Sequence, residues 1–338
     1  MGRYLVRRLA QAALVVVGVV VLTFIVVRLL PGDPAAAYAG PRASPEDLAR
    51  ARELLGLDKP VIAQLGMYMS GLVQGDWGTS LHTRLPVTHD LSIAFPASLE
   101  LVGTALIFAV LIGIPLGLLA ARFFGSPVDG AVRLGSMFAA AFPVFLLALI
   151  VQNTFATKLG WFPVAGEYDS KLDSTSPLHL YTNITIVDAF ITGNWPIFLS
   201  TLHHLILPAL VVAAYPIGVV TQMTRAAVSE EASLDHARLE RALGFAPGQV
   251  LRRFSFRPSL NPILTLLALV FAYSLVNAFL VESIFNWPGL GNYAVASIRS
   301  LDTAAVAGVT LIVALAYVIA NLLVDIAQTF IDPRVRLS

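Results

Sequence analysis

The chain has 338 residues, 57% of them hydrophobic and only 13% charged, against roughly 25% charged in an average soluble domain, and its mean hydropathy is +0.77. A formal net charge of +1, with no basic stripe interleaved with aromatics, argues against nucleic acid as a partner, and the absence of cysteine removes disulfides, zinc thiolates and iron–sulfur centres. An integral membrane protein is what remains.

The chain opens MGRYLVRRLAQ, with Arg3, Arg7 and Arg8 ahead of a run that stays mostly apolar to Val27. A span over 9–29 follows, behind a segment, 1–8, that its positive charge holds on the cytoplasmic side. A cleaved signal peptide is the alternative, since PAAAYAG supplies small residues, but its apolar core would run only about 7 to 15 residues. The segment 30–97 is read as extracytoplasmic and contains a marked helix: Ser44 as N-cap, Pro45 first, Glu46 and Asp47 in the opening turn, and Gly56 after Leu55 as the stop. A second amphipathic stretch runs from Lys59 to Val73. Loops of such length are as a rule functional or disordered.

Further apolar runs predict spans over 98–121, 134–157, 204–224, 259–281 and 304–328. Each is long enough, at about 1.5 Å per residue, to cross a hydrocarbon core about 30 Å thick. The expectation is an all-α protein of six transmembrane helices with both termini, including the tail 329–338, in the cytoplasm. The arginines agree: Arg122, Arg133, Arg334, Arg336 and the polar island 225–258 fall inside, against Arg299 in the short outer loop 282–303. The other outer segment, 158–203, holds the polar run GEYDSKLDSTSP and then Ile184 to Phe198, read as a helix lying on the membrane face. Trp77, Trp161, Trp195 and Trp287 all fall outside, three of them near span ends where an aromatic belt would lie.

The polar island reads RAAVSEEASLDHARLERALGFAPGQVLRRFSFR from Arg225 to Arg257. Placing its arginines mid-bilayer would cost about 15 to 20 kcal/mol, so it lies in water against the membrane surface. Ser233 as N-cap, Asp235 in the first turn, Arg238 and Arg241 late, and Gly244 as a left-handed stop predict a helix of about ten residues. Ala246 and Pro247 open a second run, Gln249 to Phe256. A pair so short cannot bury Leu234, Leu239, Leu243 and Phe245 by itself, so it leans on another surface, either a partner chain or lipid headgroups.

No GxxxxGK[ST], GxSxG or HExxH string occurs, so neither a phosphate-cradling loop nor a hydrolytic site is encoded. The histidines, His82, His89, His179, His203, His204 and His236, form no metal-ligand set. Charged residues are scarce in the spans, with Glu100 near the outer end of the second, Asp325 late in the sixth, and Arg28 and Glu282 at outer edges, whereas an ion-coupled carrier would bury a charged relay near the midplane. Gly113, Pro115, Gly117, Pro143, Pro208, Pro216 and Gly218 are flex or contact points, and GIPLG satisfies the small-xxx-small rule for helix packing.

The island resembles the EAA loop of ABC-importer permeases, in the variant of the dipeptide, oligopeptide and nickel permease family, whose RTARAKG-like string is matched by Arg238 to Gly244, RLERALG. The resemblance extends along most of the chain through RYLVRRLAQ, LPGDP, LGLDKP, GDWGTS, FPASLEL, KLGWFPVAG, HLILPAL, VESIFNWPGLG and DPRVRL. It implies a type I permease fold without catalytic residues, paired with a similar but non-identical second permease subunit. It also implies two cytoplasmic ATP-binding subunits that hold the ATP and Mg²⁺, and an extracytoplasmic substrate-binding protein. Substrate would cross by alternating access, a peptide first, with nickel, glutathione or haem as alternatives; an ion-coupled carrier and a membrane-embedded enzyme or assembly factor are the competing classes. The resemblance implies that Leu239, Ala242 and Leu243 face the ATPase groove, that Arg238, Glu240 and Arg241 form its polar rim, that Gly244 is the stop, and that Asp235 in the first turn belongs to the same coupling segment. Glu46, Asp47, Asp76 and Trp77 are the expected contacts of the binding protein.

Overall fold

The computed structural model describes residues 2–29, 34–40, 43–54 and 56–331. Most of the LPGDP string, Leu55 and the DPRVRL tail with Arg334 and Arg336 lie outside the described residues, as do the side chains of Arg28 and Asp325. Apart from an antiparallel bridge between Thr79 and Pro86, the described backbone is helix and turn. The helices are α1 Gly2–Leu29, α2 Pro34–Ala39, α3 Pro45–Leu54, α4 Val61–Val73, α5 Val87–Phe108, α6 Ile114–Arg122, α7 Pro127–Ala141 and α8 Val144–Val151. They continue with α9 Leu172–Thr175, α10 Thr185–Ile191, α11 Trp195–Glu231, α12 Asp235–Ala242, α13 Pro247–Gln249, α14 Leu260–Phe285, α15 Leu290–Arg299 and α16 Thr303–Ile331. Wider π-turns at Ala109–Gly113, Gln152–Lys158 and Val250–Ser255 join or extend several of them.

Four of these helical stretches are long and apolar enough to cross a membrane: Val87–Arg122, Trp195–Glu231, Leu260–Phe285 and Thr303–Leu323. The third expected span is not one straight helix. Over that stretch α7 and α8, the latter with its π-turn, meet at an angle of 98°, which would make a fifth span if they cross together. The break falls where Phe142 turns extended (ψ 130°) ahead of Pro143, a residue with no N–H to continue the ladder. The apolar part of α1, Ala10–Val26, is shorter than the others.

The chain divides into two compact units, Met1–Ala97 with Pro288–Val318, and Ser98–Trp287 with Ile319–Ser338. In the first, α1 meets α4 through Phe24 and Tyr68, whose rings lie 5.8 Å apart. Its polar hub is Asp302, fully buried, which accepts hydrogen bonds from the Ser80 hydroxyl at 2.6 Å, the Leu81 N–H at 2.6 Å and the His82 N–H at 3.3 Å. Its other oxygen caps α16 by accepting the Ala305 N–H at 3.0 Å. A Cβ on Gly308 would come within 2.4 Å of Val87, so the start of α5 and α16 approach more closely than a side chain allows.

The second unit is built around α11, which packs against α6, α7, α8, α10 and α14. Glycine makes the closest of these contacts possible. A Cβ on Gly117 would meet Thr224 at 2.5 Å, and one on Gly218 would meet the Ser136 carbonyl at 2.4 Å. The helix expected on the membrane face over 184–198 is instead the short α10, a turn at Gly193 (φ 68°), and the first residues of α11. Asn194 starts α11 by accepting the Ile197 N–H at 3.3 Å. Trp287 also departs from expectation: it is fully buried, whereas Trp161 and Trp195 are 60% and 54% exposed.

Candidate functional site

The polar island does not begin as a loop. α11 runs through Arg225 to Glu231, so the opening of the island is the end of a 37-residue helix. Arg225 grips the buried Asp129 in two-pronged fashion, Nε to Oδ1 at 2.5 Å and Nη2 to Oδ2 at 2.8 Å, and its guanidinium lies 4.9 Å from the centre of the Phe124 ring. Asp129 is held in turn by the Gly125 N–H at 3.0 Å, while its own N–H reaches the Ser126 hydroxyl at 3.4 Å. A charge-assisted fork of this kind fixes orientation as well as distance. It ties the turn between α6 and α7 to α11. From sequence Arg225 is one of several solvated arginines and Asp129 has no visible partner; the start signal of α7 at Ser126 and Pro127 is legible, but a pairing across 96 residues is not.

Ser233 was expected to cap the next helix, but its hydroxyl donates back to the Glu230 carbonyl at 2.7 Å. It closes α11 instead. Leu234 therefore occupies the N-cap position without a side-chain bond, and α12 is eight residues long, shorter than expected. Its other end is built on Gly244, whose φ is 91°. The Gly244 N–H reaches the Arg241 carbonyl at 3.0 Å and the Phe245 N–H reaches the Glu240 carbonyl at 3.2 Å, the paired bonds of a Schellman stop. A Cβ there would touch nothing within 4 Å, so conformation and not space requires the glycine.

The two sides of α12 differ. Ala237 is fully buried, and Arg241 folds along the same side, donating to the Ala237 carbonyl at 3.1 Å and to that of Ala232. Leu239 and Leu243 are 59% and 66% exposed, and with the exposed Ala242 they follow the i, i+3, i+4 spacing of one helix face. Asp235 and Arg238 flank it as a surface pair at 3.4 Å, and Glu240 is half-buried. Phe245 packs on Phe254, ring centres 5.3 Å apart, and the following π-turn is anchored by buried Val250 and Ser255. All eight island residues singled out in the sequence thus sit on one short helix and its stop, held from behind and open in front.

The other four candidates form no comparable patch. Ser44 donates both its N–H (3.1 Å) and its hydroxyl (2.7 Å) to the Asp47 carboxylate, and the Asp47 N–H returns to the Ser44 hydroxyl at 3.2 Å. These bonds hold the Asp47 carboxyl below its ordinary range and commit it to capping α3. Asp76 accepts the Gly78 N–H at 3.0 Å within its own turn, Glu46 is exposed and Trp77 is half-buried. Among the described residues no group of three or more His, Asp or Glu could hold a metal ion.

An all-helical protein with several helices long and apolar enough to cross a membrane is a multi-pass membrane component. The chain belongs to the family of binding-protein-dependent transport system inner membrane components: that family's model matches residues 113–337, and the model of its N-terminal region matches residues 1–101. It is accordingly a protein of the cytoplasmic membrane. Similar proteins include the probable D,D-dipeptide transport system permease protein DdpB of Escherichia coli (strain K12), 42% identical over 322 residues that cover 95% of this chain and 94% of that one. The di/tripeptide transport system permease protein DppB of Pseudomonas aeruginosa (strain UCBPP-PA14) is 36% identical over 98% of both chains. Among solved structures, the MetNI methionine ABC transporter in inward-facing conformations aligns with 71% of this chain and 93% of its own, with a TM-score of 0.48 and 15% identity.

Proposed function

We propose that this chain is one of two permease subunits of an ATP-driven importer of short peptides. Its substrate class follows the names of its relatives, dipeptide and di/tripeptide permeases that match it over nearly their whole length. Six spans cross the membrane, with α1 and the α7–α8 pair counted among them, and both termini and the polar island face the cytoplasm. A binding protein delivers peptide from outside, and a similar but non-identical permease subunit completes the path. Two cytoplasmic subunits hold ATP and Mg²⁺ and do the hydrolysis; this chain binds neither. The observation that carries the coupling role is α12, whose Leu239, Ala242 and Leu243 stand in the open while Ala237 anchors the opposite side. They seat in a groove of the ATPase subunit, with Asp235, Arg238 and Glu240 at the rim, Gly244 setting the exit, and Arg241, which bonds back to the Ala237 and Ala232 carbonyls, bracing the helix from behind.

The test is reconstitution with the second permease, the ATPases and the binding protein. Ala242→Asp puts a charge in the apolar contact and Gly244→Val forbids the left-handed stop. Both variants should insert and be recovered from the membrane at wild-type level, yet lose peptide-stimulated ATP hydrolysis. Wild-type stimulation in both would remove α12 from the coupling path.

A further inference from the structure

The elbow between α7 and α8 opens a cavity of about 220 Å³, bordered by Phe142 and Pro143 at the bend, Tyr215 and Pro216 in the middle of α11, and Ser274 and Asn277 in the middle of α14. It is smaller than the roughly 300–1,000 Å³ that takes a complete ligand, and suits one part of a larger one. None of the residues around it is charged or a histidine.

Its walls nevertheless offer hydrogen bonds. Ser274 is 1% exposed and its hydroxyl has no partner. Hydroxyls elsewhere on the same helix fold back onto the carbonyl four residues earlier, Thr265 to Asn261 at 3.0 Å and Ser283 to Phe279 at 3.1 Å; that of Ser274 does not. Asn277 donates one N–H to the Tyr273 carbonyl at 2.9 Å, which leaves its amide oxygen as an acceptor. The main chain contributes as well. Pro216 has no N–H, so the carbonyl of Val212, which borders the same cavity, lacks its helical donor. At the elbow the Phe142 N–H closes α7 on the Phe138 carbonyl and the Leu147 N–H opens α8 on the Pro143 carbonyl, both at 3.0 Å, so the α7 carbonyls after Phe138 and the α8 N–H groups before Leu147 are by position without a partner inside their own helices, which meet at 98°. Broken helices in membrane transporters place free main-chain groups at the substrate in this way. Tyr215 and Tyr273, ring centres 4.3 Å apart, form an apolar side to the same space.

We propose that this elbow cavity is a subsite for the main chain of the transported peptide, with the Ser274 hydroxyl, the Asn277 amide and the open elbow backbone bonding one uncharged amide unit. The chemistry decides the ligand. The Ser274 hydroxyl and the Asn277 amide match the C=O and N–H of a peptide bond, whereas an ammonium or a metal ion would require a counter-charge or several oxygen ligands that the lining does not supply. Neutral contacts also suit a transit site, which must let its cargo leave. The inference rests on the peptide-importer reading and specifies where in the chain the cargo is touched.

The experiment compares uptake of radiolabelled alanylalanine with that of alanyl-lactate, its ester analogue lacking the amide N–H, by the complete reconstituted importer. Ser274→Ala, which removes an unpaired hydroxyl and should not lower thermal stability, is expected to slow alanylalanine uptake about five- to tenfold. Asn277→Leu serves as an independent second variant with the same expectation. In Asn277→Leu the alanylalanine-to-ester uptake ratio should fall, because the ester has no N–H to give the Asn277 oxygen; in Ser274→Ala, whose hydroxyl can donate to the C=O that both compounds keep, uptake of both should slow. Ser283→Ala, on the same helix but bonded to Phe279, should transport like wild type. Wild-type uptake of both compounds by Ser274→Ala and Asn277→Leu would overturn the subsite and leave the importer reading intact. A wild-type complex that carries neither compound would overturn the peptide reading and the subsite with it.

Discussion

Arg225 and Asp129 are the residue pair on which the geometry of the island's root depends. With the carboxylate buried and both oxygens engaged, removal of either partner strands the other. Asp129→Arg and Arg225→Asp should each reduce recoverable folded protein, and the combined swap should restore part of it. A coupling of about 1–3 kcal/mol between the two sites in thermal unfolding would mark the pair, and simple additivity would dismiss it. A second residue-scale expectation concerns Glu167. It lies beside the buried Glu100, whose oxygens accept the Thr185 and Ile186 N–H groups at 3.1 Å. Burial raises the Glu167 carboxyl above its ordinary range. A group raised in the folded state contributes stability below its unfolded value and loses it as pH rises through the folded one. The Glu167 contribution to thermal stability should therefore fall as pH rises above the ordinary glutamate range, and Glu167→Gln should remove that part of the pH dependence; an unchanged pH profile in the variant would rule Glu167 out.

Among the elements, α16 is started by a side chain that does more than cap. Asp302 also gathers the Ser80 hydroxyl and the Leu81 and His82 N–H groups, so Asp302→Ala removes the cap and orphans the buried Ser80 hydroxyl together. A loss of about 3 kcal/mol is expected, measurable as a lower unfolding midpoint, with Asp302→Asn less severe. The elements also show what could be read beforehand. The α3 start at Ser44 and Pro45, the close approach at Gly117 and the stop at Gly244 were legible because each is local chemistry: a cap, a missing side chain, a left-handed turn. Ser233 was misassigned because a hydroxyl between two helices can bond backward or forward, and the sequence does not say which. The elbow at Pro143 was visible as a proline but not as a 98° bend, since buried membrane prolines are often tolerated in continuous helices, as Pro208 and Pro216 are in α11. Trp287 was assigned to the interface by residue type, whereas three-dimensional packing placed it in a core.

For the whole molecule, hydropathy made the membrane assignment plain, while the number of crossings was harder to read, because one expected span is bent and another is short in its apolar part. The natural absence of cysteine makes the proposed sidedness directly testable without a background to remove. In inverted and right-side-out vesicles, Ser233→Cys in the polar island should react with a membrane-impermeant maleimide only from the cytoplasmic side. Ser174→Cys, between α8 and α10, should react only from the outer side. Labelling of both from one side would discard the six-crossing arrangement.

The length of α11 has a mechanical consequence. At about 1.5 Å per residue, its 37 residues extend about 55 Å, well beyond the roughly 30 Å of a hydrocarbon core. Such a beam behaves as a seesaw: a tilt of about 5° about its midpoint carries each tip sideways by about 2 Å. Tyr215, near that midpoint, would mostly rotate, while Arg225 and the turn leading to α12 would sweep.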